Sequence, residues 1–285
     1  MDIERFWSII KTDFGYQSPA RSFMLSQKFP GLVTFTYYLR LLHRIIIDSK
    51  AANIGEYDYR RWAIGSLGML KNIESAGGSF LISGLQGVAL HGGPFVYISN
   101  HMSMIDTFIL PGITTAFTKS TFVVKDGLLN YPVFGKILKA INPISVTRSN
   151  PREDLKRVLN KGSDLISKGY SVITFPQTTR STLFDTTSFN SLGVKLAKRA
   201  MVPVVPIALK TDFQCNGRFF KDMGMVNPGK TLYFKFGNPI PIEGKPQAVH
   251  KKIVQFIANN LSEWGGEVVR NEENITSPTL QIEQR

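Results

Sequence analysis

From residue 79 the chain alternates short apolar runs with longer amphipathic stretches, and this alternation constrains the fold more than any other feature. Strand candidates are 80–83, 95–99, 121–124, 144–147, 171–175, 202–209 and 231–236. Helical stretches lie between several of them, near 103–116, 127–140, 151–168 and 189–200, and a last one falls near 246–263. Short apolar strands alternating with helices predict an α/β fold, a mixed sheet flanked by helices on both faces. A chain of 285 residues has room for one large domain or two small ones.

Upstream, residues 29–47 form the most apolar helical candidate. Counting from Leu32, the polar residues Thr36, Arg40, His43 and Arg44 share one face, and most of the remaining surface is apolar. Such a helix either lies in a bilayer interface, with its arginines near lipid phosphates, or packs into the core. Residues 1–75 are therefore read as an N-terminal helical, membrane-associating segment. Residues 76–265 are the α/β domain, and 266–285 a flexible polar tail. Met1–Lys11 carries Asp2 and Glu4 and lacks the apolar core of a signal peptide. No run resembles a membrane span of about 20 apolar residues. Residues 75–105 lack Asp, Glu, Lys and Arg but hold six Gly and Pro94, and they read as strands and turns. The expected location is peripheral, on the cytoplasmic face of a membrane.

Composition narrows the partners. With 43% hydrophobic and 19% charged residues, intrinsic disorder is excluded. The single cysteine, Cys215, excludes an internal disulfide, and four scattered histidines offer no zinc-type cluster. Lys and Arg outnumber Asp and Glu by 34 to 21, a net charge of +13 that draws the protein toward something anionic. Twenty Phe favour lipid over nucleic acid, for which no binding motif is present.

Four polar blocks interrupt the apolar pattern. In Phe95-Val-Tyr-Ile-Ser-Asn-His101-Met-Ser-Met-Ile-Asp106 an apolar strand runs into Asn100-His101 and then a helix. Ligands and catalytic groups favour this carboxyl end of a strand in open α/β sheets. With His101 in the turn, its ring can fold back onto Asp106, leaving the other imidazole nitrogen as a base. The pair alone also fits a helix cap. The second block, Val172–Ser181, carries Arg180 after a strand, and the third, Asn142–Arg148, ends a strand in Arg148. Two such arginines can bind a phosphate through charge-assisted hydrogen bonds, although surface arginines are common. The fourth, Val202–Leu209, reads as a buried strand beginning with prolines.

In this order the blocks resemble the glycerolipid acyltransferase family, which includes bacterial 1-acyl-glycerol-3-phosphate acyltransferases. The family's marks are Asn-His-x4-Asp, an Arg-containing strand, Phe-Pro-Glu-Gly-Thr-Arg-Ser and Val-Pro-(x)2-Pro-Val. They appear here as Asn100–Asp106, Ile144–Arg148, Phe175–Ser181 and Val202–Ile207. Lys125 with Tyr131–Gly135, and Leu192–Ala197, add to the likeness, which covers roughly residues 80–210. The resemblance implies a membrane-associated O-acyltransferase of phospholipid biosynthesis. It would need no cofactor. It would move a fatty acyl group from acyl-CoA or acyl-acyl carrier protein to a lysolipid hydroxyl, with 1-acyl-glycerol-3-phosphate as the first choice of acceptor. Glycerol 3-phosphate or another lysolipid is the alternative, as is a catalytically silent membrane-binding relative. His101 would be the general base and Asp106 its orienting partner. Arg180, supported by Arg148, would hold the acceptor phosphate. Gln177 and Lys125 would complete the substrate site. The sequence departs from the family where Gln177-Thr178 stands for Glu-Gly, which bears on acceptor identity.

Overall fold

The computed structural model describes residues 1–20, 28–177, 179–214 and 223–270. Thr178, Cys215 and residues 271–285 of the tail lie outside them. The elements run α1 (Ile3–Thr12), β1 (Tyr16–Gln17), α2 (Pro30–Asn53), α3 (Tyr59–Ser75), β2 (Ser79–Ser83), α4 (Gln86–His91), β3 (Val96–Ser99) and α5 (Met104–Thr114). There follow β4 (Lys119–Lys125), a 3-10 turn (Asp126–Asn130), α6 (Phe134–Ala140), β5 (Ile144–Val146), α7 (Pro151–Ser167) and β6 (Tyr170–Thr174). The chain closes with β7 (Leu183–Asp185), α8 (Leu192–Ala200), β8 (Val204–Lys210), β9 (Thr231–Phe236), α9 (Pro246–Glu263) and β10 (Glu267–Val269).

Eight strands form one sheet in the order β1-β2-β9-β8-β3-β6-β4-β5. From β8 to β5 every pairing is parallel, so five strands end on the same edge. The β8–β9 pair is antiparallel and makes the sheet mixed. Both faces are covered. On β3, Val96 and Ile98 face a cluster shared with α7, α8 and α9, while Tyr97 faces the opposite cluster with α1, α2, α3 and α5. This is the period-2 alternation of a strand with two dry faces. The helices come close where side chains are smallest. A Cβ on Gly112 of α5 would meet Ser66 Cβ of α3 at 2.8 Å, and one on Gly193 of α8 would meet Thr174 Oγ1 of β6 at 2.7 Å.

The N-terminal segment shares the core of the domain. Phe6, Ile10, Tyr37, Leu70 and Ile73 belong to one apolar cluster with Phe80, Tyr97 and Phe234. Tyr16 and Gln17 pair with Ile82 and Leu81 at the sheet edge. Helix α2 divides its surface. Tyr37, Leu41 and Ala51 are buried, whereas Leu32, Phe35, Leu39, Leu42 and Ile46 form an exposed ridge, 40–65% accessible. The basic stripe divides as well. Arg44 turns inward and pairs with buried Asp48, Nε to Oδ2 at 2.8 Å, while Arg40 and His43 stay exposed. Among the described residues no helix is long and apolar enough to cross a membrane.

Three local expectations need correction. The stretch 127–140 is a 3-10 turn and a separate helix, because Pro132 has no N–H and Tyr131 before it is extended at φ −63° and ψ 134°. Within 75–105 the short helix α4 forms and stops at Gly92, which takes a left-handed φ of 66°. The first residues of the tail form a strand: β10 pairs in parallel with β7, and Val268 packs beside the cluster under α9.

Candidate active site

Strand β3 delivers the site. Its neighbour β8 continues beyond Ser99, and Asn100 keeps the pairing going with its side chain. Asn100 Nδ2 donates to Leu209 O at 2.8 Å, and Leu209 N donates to Asn100 Oδ1 at 2.8 Å. The amide thus stands in for one peptide of a ladder and fixes where His101 leaves the sheet. The His101 N–H donates to Gln177 Oε1 at 2.6 Å, and Ser181 N donates to His101 O at 3.0 Å. Both backbone groups of His101 are therefore tied to the loop that follows β6.

The imidazole folds back onto Asp106 as the spacing suggested, with His101 Nδ1 2.9 Å from Asp106 Oδ2. Asp106 is fully buried, and the His101 side chain is 16% accessible. A carboxylate beside Nδ1 selects the tautomer with the proton on Nδ1. Nε2 then carries a lone pair. Phe175 stacks on the ring, centroids 4.0 Å apart and planes 16° from parallel, which limits its rotation.

Capping and orientation are two jobs of one carboxylate. Ser103 is the N-cap of α5: its Oγ accepts from Ile105 N at 3.1 Å, and Asp106 Oδ2 accepts from Ser103 N at 3.1 Å, a capping box. Met102 N also donates to Asp106 Oδ2, at 2.7 Å. The other oxygen, Oδ1, accepts from the Thr211 hydroxyl, and Thr211 Oγ1 lies 3.0 Å from Ser103 Oγ. Three donors, Met102 N, Ser103 N and the Thr211 hydroxyl, thus hold Asp106 aimed at the ring.

The remaining predicted residues stand along the same sheet edge. His101 follows β3, Gln177 and Arg180 follow β6, Lys125 ends β4 and Arg148 follows β5, in the spatial order β3-β6-β4-β5. Neighbouring strands are about 4.8 Å apart, so the row spans roughly 14 Å. Gln177 is buried and its oxygen is occupied by the His101 N–H. Arg180 is half-buried, and Lys125 and Arg148 are exposed. Arg148 adopts φ 64°, held by its N–H on Asp154 Oδ2 at 2.7 Å, while Thr147 N reaches Asp154 Oδ1 at 2.8 Å. Burial pushes the Asp154 carboxyl up, but the Thr147 and Arg148 bonds outweigh it and hold the group below the usual carboxylate range.

Thr211, Phe175 and Asn100 were not singled out as functional from the sequence. Thr211 sits just beyond the C-terminal end of β8, next to β3, and its position at a strand end was the available signal. Phe175 reads as core, because an aromatic after an apolar run is ordinarily packing.

A sheet edge of this topology thus carries the Asn-His-x4-Asp turn together with the ends of the Ile144–Arg148 and Phe175–Ser181 blocks read in the sequence. Residues 80–210 of the chain match the model of the Acyltransferase family. Among its relatives is the 1-acyl-sn-glycerol-3-phosphate acyltransferase of Pseudomonas aeruginosa, 29% identical over 189 residues, which are 66% of this chain and 70% of that one. A chloroplastic enzyme of the same name from Brassica napus is 32% identical over 128 residues, 45% of this chain but only 36% of the plant protein. In fold, the chain is similar to the 1-acyl-sn-glycerophosphate acyltransferase PlsC of Thermotoga maritima, with a TM-score of 0.57 at 16% identity. That likeness covers 86% of this chain and all of the other.

Proposed function

We propose that this protein acylates 1-acyl-sn-glycerol-3-phosphate, using a fatty acyl thioester, to give phosphatidic acid. One observation carries the reading: His101 Nδ1 is held by a buried carboxylate, which leaves Nε2 as a base at the sheet edge. In the reaction, Nε2 takes the proton of the acceptor hydroxyl as the oxygen attacks the thioester carbonyl carbon. The tetrahedral intermediate collapses, the C–S bond breaks, and the imidazolium returns its proton to the departing thiolate. Asp106 stabilises the imidazolium between the two steps. No acyl-enzyme forms.

The acceptor phosphate is assigned to Arg180, which adjoins the Ser181–His101 backbone bond. Lys125 and Arg148, one and two strands beyond, add positive charge along the edge. Gln177 is assigned to positioning His101. The acyl donor is acyl-CoA or acyl-acyl carrier protein, both anionic and suited to a chain of net charge +13.

The acceptor and product are lipids, and we assign the protein to the membrane surface. The ridge of α2 supports this, because five exposed apolar side chains share one helix face. The test is a product screen: purified protein, labelled acyl thioesters on both carriers, and a panel of glycerol 3-phosphate and lysolipids, read by mass spectrometry. Phosphatidic acid should be the dominant product. Exclusive acylation of another acceptor would overturn the substrate assignment and leave the chemistry standing.

A further inference from the structure

A groove of about 350 Å³ lies between α2 and α3, beside the exposed ridge, and it shares no residue with the His101 site. Arg40, His43 and Arg44 line it from α2, and Lys71 and Asn72 from α3. Among the described residues no Asp or Glu lines it. Arg44 is neutralised by Asp48, whereas Arg40 and Lys71 make no ion pair among the described residues. Asn72 is 7% accessible and donates Nδ2 to Tyr37 O at 3.0 Å, but its Oδ1 is buried with no hydrogen-bond partner among the described residues.

These features describe a ligand. Cations without counter-ions ask for an anion. An unpartnered buried amide oxygen asks for a donor, because leaving it unmade is costly. The adjoining ridge asks for hydrocarbon. On α2, Arg40 and His43 follow Leu39 and Leu42 by one residue, which places the groove one step around the helix from the ridge. A phosphodiester headgroup with a hydroxyl or ammonium donor, attached to acyl chains lying along Leu39, Leu42 and Ile46, meets all three demands. The volume suits it, at the lower end of small-ligand cavities. We infer that the α2–α3 groove binds the headgroup of a bilayer glycerophospholipid, a site separate from the one that handles acceptor and product. The inference rests on the membrane-surface reading above.

The probe is dihexanoyl-phosphatidylglycerol below its micelle concentration, titrated against the full chain by calorimetry, so that no bilayer is needed. Saturable binding is expected. It should weaken at least about tenfold in Arg40→Gln/Lys71→Gln, which removes the two unpaired cations. Gly68→Leu should weaken it similarly by filling the groove. A Cβ there meets only Arg44 Cδ, at 3.7 Å, so the fold tolerates the start of the side chain. Arg180→Ala should leave the affinity unchanged. Wild-type affinity in both groove variants would overturn the inference, as would loss of binding in Arg180→Ala, which would put the lipid in the acceptor site. Inorganic phosphate binding as tightly as the lipid would also overturn it, by assigning the groove to the free ion. The membrane reading fails separately, if Leu39→Asp/Ile46→Asp still floats with vesicles at high salt while short-chain lipid binding persists.

Discussion

Asp106 is one buried side chain with two structural duties. It closes the N-terminus of α5 and holds the imidazole, and the Thr211 hydroxyl secures its second oxygen. Thr211→Val keeps the shape and leaves that oxygen unpaired in a dry site, where a hydrogen bond to a charged group is worth about 1.5–3 kcal/mol. We expect kcat to fall about tenfold or more with the acceptor KM little changed, and Thr211→Ser to restore it. Equal activity in Thr211→Val would remove the residue from the site. Arg180 is tested by a different split. Arg180→Ala should raise the acceptor KM and lower kcat/KM, and Arg180→Lys should recover only part, because a point charge cannot replace the planar fork. An unchanged acceptor KM and kcat/KM would show that the phosphate is held elsewhere. The His-x4-Asp spacing made the pair legible in the sequence. The contribution of Thr211 was not legible, because 105 residues separate it from Asp106 and only the β3–β8 pairing joins them.

At the scale of elements, α2 is where sequence and structure differ most in kind. Its pattern allowed either a lipid-facing or a core helix, and the folded chain uses both sides, with Tyr37 and Leu41 inward and Leu32 through Ile46 outward. A ridge that reaches hydrocarbon gains about 1.5–3 kcal/mol per fully buried side chain, and this is insensitive to salt. The charge contribution is screened over about 10 Å at 0.1 M salt. Binding to anionic vesicles should therefore weaken as salt rises and level off above zero. Leu39→Asp with Ile46→Asp should abolish the remainder without lowering the melting temperature, since both side chains are exposed. Early unfolding of that variant would return the helix to a structural role. The central strands β3, β6 and β8 were legible because both their faces are dry, which makes each a continuous apolar run, while β2 and β9 alternate buried and more exposed residues. Strand β10 was not legible: Glu267 and Val269 are exposed, and its pairing partner β7 lies more than 80 residues away. The same holds for β1, two residues fixed to the edge by a segment more than 60 residues downstream.

For the whole molecule, the parallel strands gather the chemistry. Segments from 100 to 211 meet at one edge because β8, β3, β6, β4 and β5 run in the same direction and end together. The N-terminal helices cover one face of that sheet, and α2 carries the apolar ridge outward from it. The central claim is that His101 is the base of an acyl transfer. It is tested most directly by the steady-state rate of phosphatidic acid formation from acyl-CoA and 1-acyl-sn-glycerol-3-phosphate, measured for the wild type and for His101→Ala with matched thermal unfolding curves. The account predicts turnover in the wild type and a loss of at least about a hundredfold in the variant, within the range for removing a general base. A folded His101→Ala protein that forms phosphatidic acid at the wild-type rate would contradict it.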